Sequence, residues 1–194
     1  DASELSLRGG HLNHSQLETG FQDLKFKFSY HDLLNSYVGY SPYGHIEFPS
    51  VTFRHYDKEN HWEVTEINFL TTTSLFPVHP LMSQLSWKIY SGMYTPNLPS
   101  CLFCKHFYAE LGGGYTFPIG QGNHFIFMLL HGRWEASSSL PLGHYGGPGI
   151  DAGLLLNPYK NYKLKFNVVQ QWFSDFNRWD AQTKIEVSQA LHLK

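Results

Sequence analysis

Leu24-Lys25-Phe26-Lys27-Phe28-Ser29-Tyr30-His31-Asp32-Leu33-Leu34 decides how the rest of the chain is read. Leu24, Phe26, Phe28 and Tyr30 alternate with Lys25, Lys27 and Ser29. A period of two places apolar side chains on one face of a strand and polar ones on the other. The alternation stops at His31-Asp32-Leu33-Leu34, and the Gly-, Pro- and Ser-containing stretch Asn35–Gly44 follows as a loop.

The same plan recurs along the chain. Trp62–Leu70, Gln84–Met93, His106–Phe117, Tyr162–Phe173 and Gln182–Leu193 all read as strands. His124–Ala136 is nearly continuous apolar, and its turn-bounded position favours a strand over a helix. His45–Tyr56 reads as one strand with a bulge or an edge position at Pro49. Leu5–Leu7 and Ser15–Phe21 read as one interrupted strand or two short ones, with Gly9-Gly10 marking the break and Gln22-Asp23 as a tight connection into Leu24–His31. Ser137–Pro148 reads as a long loop, Gly149–Leu156 as a short strand, Asn157-Pro158 as the start of a turn, and Ser174–Asp180 as another turn. The expectation is an all-β fold: an antiparallel meander β-barrel of about ten strands, of outer-membrane type, in one domain over residues 1–194.

Composition fits this. Charged residues are 15% of the 194 and aromatics 16%, with a mean hydropathy of −0.32. That combination suits strands with one apolar and one polar face and excludes a disordered chain. The net charge of −2 and the scattered Lys and Arg exclude a nucleic-acid surface. No run of about 18 apolar residues is present, so no spanning helix is expected, whereas a barrel strand needs only about 9–11 alternating residues. No signal-peptide pattern is visible at Asp1, and the chain reads as a mature product or an excised domain.

Period two leaves two solvents open for the apolar face. In a soluble barrel it points inward, and in an outer-membrane barrel it points to lipid. Aromatics near strand ends, Trp87 and Trp172 among them, resemble the two interface girdles of a membrane barrel. Tyr37, Tyr40 and Tyr43 are unusual for a solvated loop and are read as rim or interface residues. The expected partners are outer-membrane lipid and other envelope proteins, in the bacterial outer membrane; the alternative is a periplasmic ligand- or protein-binding barrel.

Candidate chemistry is sparse. Cys101 and Cys104 have C-x-x-C spacing with His106 nearby, which gives at most three ligands where a structural zinc site takes four. A local disulfide, a metal role and inert thiols stay open. His14-Ser15 invites a hydrolase reading without an acidic partner placed by sequence. In His31-Asp32 an Asp could orient an imidazole, but adjacent strand residues face opposite ways, so a capped turn is favoured. The remaining histidines, among them His55, His106 and His131, are scattered without metal-ligand spacing, so no metal and no cofactor is expected. Arg54, Lys88, Glu110, Arg133 and Glu135 are strand charges that would pair inside a lumen if the polar face lines one.

The motifs Tyr30-His31-Asp32-Leu33-Leu34, Gly44-His45-Ile46-Glu47-Phe48, Arg54-His55-Tyr56, Ser74-Leu75-Phe76-Pro77 and Leu85-Ser86-Trp87-Lys88 resemble a bacterial envelope family. Its members carry an N-terminal periplasmic domain of papain-like character (NlpC/P60-related, Lnb-type) followed by a C-terminal β-barrel. The resemblance covers most of residues 8–135. It implies a barrel piece of a longer envelope protein, anchoring a periplasmic domain or serving in an envelope assembly without catalysis of its own. A barrel hydrolase acting on lipid or peptidoglycan is the remaining alternative.

Overall fold

The computed structural model describes residues 4–14, 17–28, 30–31, 44–58, 60–79, 84–96, 104–120, 124–159, 162–173 and 178–189. Every regular element in them is a strand. These are β1 (Glu4–His14), β2 (Leu17–Lys27), β3 (Tyr30–His31), β4 (Gly44–Glu47), β5 (Ser50–Tyr56) and β6 (His61–Ser74). They continue with β7 (Ser86–Tyr94), β8 (His106–Ile119), β9 (His124–Ala136), β10 (His144–Tyr159), β11 (Tyr162–Phe173) and β12 (Arg178–Gln189). The sheet order is β1-β2-β5-β6-β7-β8-β9-β10-β11-β12, each neighbour antiparallel, with β3 and β4 as a branch that pairs onto β6. The all-β antiparallel meander is thus the architecture expected. Among the described residues no ladder joins β1 to β12, so the path is open there.

The sheet is strongly curved. Lys88 on β7 and Asp151 on β10 bond at 3.0 Å although they lie three strands apart. In a flat sheet that separation is about 14 Å at ~4.8 Å per strand. Gly112 permits the curl: a Cβ there would lie 2.8 Å from His131 Cβ and 3.2 Å from Lys88 Cε.

The segment after β6 is tucked onto the concave face. Leu75 packs with Phe127 and Leu129 in a buried cluster. Pro77 bridges Thr116 in parallel sense, and the Val78 N–H donates to the Thr116 carbonyl at 2.8 Å. Ser86 donates to the Phe76 carbonyl at 3.3 Å and bonds the Thr116 hydroxyl at 2.8 Å. Leu75–Val78 of this irregular, Pro-containing stretch thus lie against the interior, while His79 and Leu85 are exposed.

Several boundaries differ from expectation. β2 runs through Gln22-Asp23, because Asp23 is a buried inward residue bound bidentately by Arg54 at 2.7 and 3.0 Å, so the polar pair is not a turn. β1 runs through Gly9-Gly10. The expected strand His45–Tyr56 is two, because Pro49 has no N–H for a ladder and separates β4 from β5. β10 starts at His144 rather than Gly149 and continues through Asn157-Pro158, with a register shift between Leu156 and Tyr159. β12 begins at Arg178, inside the expected turn.

Candidate functional site

Burial on β8 and β9 assigns the two faces. On β9 Ile126, Met128, Leu130 and Trp134 are exposed, while Phe125, Phe127, Leu129, His131 and Glu135 are buried. On β8 Phe107, Leu111, Tyr115 and Phe117 are exposed, while His106, Glu110 and Thr116 are buried. Phe26, Phe28 and Phe166 are also exposed. Among the described residues, 24 large apolar side chains are exposed and eight are buried. The apolar face is therefore the convex exterior, and the interior is apolar at one end and charged along the rest.

The charged part is a continuous network. Lys88, 1% exposed, lies 2.6 Å from Glu110 and 3.0 Å from Asp151. His131 Nε2 bonds Gln171 Oε1 at 2.8 Å, and the Gln171 amide donates to the carbonyls of Gly147, Pro148 and Trp172. Arg133 reaches Glu110 at 3.4 Å and Glu135 at 2.6 Å, and its guanidinium lies 4.5 Å from the Tyr108 ring centroid. Tyr108 donates to Asn68, whose amide binds Glu47, Ser50 and Glu66. Glu47 also accepts from Ser50 and pairs with Lys25 at 2.8 Å. Each buried charge faces an opposite one, which is the condition for keeping it out of water.

At the rim where β8 begins and β9 ends, Glu135 is fully buried and accepts from four donors. Tyr94 and Tyr145 donate through their hydroxyls, Arg133 through Nε, and His106 through Nδ1 at 3.2 Å. The other nitrogen of His106, Nε2, stands 3.0 Å from Ser139 Oγ. Ser139 is partly exposed on the turn between β9 and β10. That turn is held by Ser137 N–H to Gly143 carbonyl, Leu140 N–H to Ser137 carbonyl, and Gly143 N–H to Leu140 carbonyl. Gly143 has φ of 75°, which glycine adopts without strain. Ser139 Oγ also lies 2.9 Å from Ser137 Oγ.

The residues singled out from sequence fall elsewhere. His14 ends β1 opposite Leu17, and His31 lies in β3 opposite Ile46. Ser15, Asp32, Tyr37, Tyr40, Tyr43 and Cys101 lie outside the described residues. Cys104 is disulfide-bonded, and Cys101 is the chain's other cysteine. Trp87 is exposed near the start of β7, and Trp172 is half-buried in β11 opposite Trp179. Among the described residues no group of three or more His, Cys, Asp or Glu side chains is arranged to hold a metal ion. His106, Glu135 and Ser139 were not grouped by sequence reasoning. The available signal was parity, since His106 shares the inward parity of Glu110 on one strand and Glu135 that of Arg133 on the next.

The fold and this interior define a curved antiparallel sheet with an apolar exterior and a charged, filled concave face. The chain belongs to a family described as a domain of unknown function (DUF7840), matched over residues 1–194. No curated protein and no solved structure matches it.

Proposed function

We propose that this chain is the wall of an outer-membrane β-barrel that anchors or positions a periplasmic domain, or serves as a subunit of an envelope assembly. The carrying observation is the outward direction of the apolar face. Trp62, Phe107 and Trp134 are exposed toward one end of the strands, and Phe28, Phe48, Trp87 and Phe117 toward the other. Ile89, Leu111, Met128 and Leu130 are exposed between them.

The spacing supports a lipid fit. From Phe107 to Phe117 is about 34 Å of strand at ~3.4 Å per residue. A tilt of ~40° reduces this to about 26 Å, close to the ~25 Å apolar band of outer-membrane barrels. A surface this apolar on a soluble protein would need a covering partner. The packed interior favours an anchor over a solute channel.

Extraction and gel mobility test the reading. The chain should leave the membrane only with detergent and migrate faster on gels unheated than boiled. A monomer soluble without detergent would sink it.

A further inference from the structure

We propose that Ser139, His106 and Glu135 form a hydrolytic site at the rim, acting on carboxylic esters of long-chain acyl groups. The Ser139 hydroxyl is 3.0 Å from His106 Nε2, and His106 Nδ1 is 3.2 Å from Glu135 Oε2. One tautomer satisfies both contacts: Nδ1–H donates to the carboxylate and Nε2 accepts from the serine. This is the nucleophile, base and orienting acid relation, which is recognised by geometry and not by sequence order. Burial is graded accordingly. Glu135 is 0% and His106 1% exposed, while Ser139 is the member that reaches solvent.

Glu135 is held by Tyr94 and Tyr145 as well as Arg133, so its oxygens are fixed before His106 meets them. It is a positioning residue. Ser137 Oγ accepts from the Ser139 N–H at 3.3 Å and steadies the nucleophile's turn.

In the first half-reaction Ser139 Oγ bonds to the ester carbonyl carbon and its proton passes to His106 Nε2. The C–O bond to the alcohol then breaks, and the alcohol leaves with that proton. In the second, water adds to the acyl-serine carbon and gives a proton to Nε2. The Ser139–acyl bond breaks, the fatty acid leaves, and the proton returns to Ser139. The sum is ester plus water to acid plus alcohol, with no other reactant.

The substrate class follows from the outer face of the same strands. Phe107 follows His106 and Trp134 precedes Glu135, so both stand on the opposite side of the sheet, each 50% exposed. Leu142, 73% exposed, is on the turn that carries Ser139. Trp134 also lines, with Ile89, Ala109 and Leu111, a groove of about 510 Å³ on the exterior that Ser91, Glu110 and Arg133 border as well. An acyl chain lying on this face brings its ester over the rim to Ser139. The triad rests on geometry alone, and the acyl-lipid class rests on the membrane reading.

The test uses the full chain in detergent micelles, with a fluorophosphonate probe and p-nitrophenyl palmitate or acetate. The probe should label Ser139, as located by peptide mass. Ser139→Ala, which removes the nucleophile, and His106→Gln, which removes the general base, should each lower palmitate hydrolysis by about 100-fold or more. Glu135→Gln should shift the pH profile of kcat/KM, which a merely structural role would leave in place. Unchanged unheated gel mobility of Ser139→Ala certifies its fold, so that variant decides even if His106→Gln does not assemble. Absence of label on Ser139, with hydrolysis equal to that of Ser139→Ala, overturns the site. Equal kcat/KM on acetate and palmitate overturns the long-chain class while leaving the site. Gel mobility tests the barrel separately.

Discussion

Lys88 Nζ sits between Glu110 Oε1 at 2.6 Å and Asp151 Oδ2 at 3.0 Å, bridging β8 and β10 across the concave face. The ammonium holds two buried carboxylates that would otherwise repel. Lys88→Met leaves Asp151 without its cation and Glu110 with only Arg133 at 3.4 Å, and should destabilise by about 3–5 kcal/mol, as breaking a buried ion pair does. Denaturant unfolding in detergent reads this. A change under about 1 kcal/mol would mean that water already screens the group, as at exposed pairs.

Gly112 packs directly against that network: an added Cβ would lie 2.8 Å from His131 Cβ and 3.2 Å from Lys88 Cε. Gly112→Val should destabilise by about 1–3 kcal/mol or more, because the added atoms meet His131 and Lys88. Gly132, where a Cβ would meet nothing within 4 Å, is the control: Gly132→Ala should fold normally by the same gel-mobility assay.

Leu130 is 60% exposed at the middle of the outer face. Leu130→Arg should cost about 2–4 kcal/mol in lipid vesicles if that face meets hydrocarbon. On a hydrated surface the cost would stay within about 0.5 kcal/mol. Folding yield into vesicles separates the two cases.

Leu75 is 2% exposed and closes the apolar end of the interior. Leu75→Ala should cost about 2–5 kcal/mol through the cavity left against Phe127 and Leu129. Retention of wild-type unfolding midpoints would show that the segment is not packed as described.

The strands were legible where alternation is sustained, as at Tyr162–Phe173 and at Leu24–Lys27. The expected run through Tyr30 is split: β2 ends at Lys27, and Tyr30-His31 pairs with β4 instead. They were misread where a residue with turn chemistry serves packing instead. Asp23 resembles a turn residue until Arg54, 31 positions later, is brought against it. Gly146, Gly147 and Pro148 resemble a loop, but these positions pair with Trp134, Arg133 and Gly132 on β9. The rim site was illegible for a related reason. Ser139 follows His106 by 33 positions, and only the pairing of β8 with β9 and the short turn after Ala136 place them together. Nothing in local spacing encodes that meeting.

The opposed faces also explain why this sheet is quiet to hydropathy averaging. No helix among the described residues is long and apolar enough to cross a membrane, which says nothing of strands. Along β2 a sliding average adds Leu24 to Lys25 and Phe26 to Lys27, so the two faces cancel to near neutrality. The informative quantity is the difference between odd and even positions, not their sum. A profile computed that way peaks where the running mean is flat.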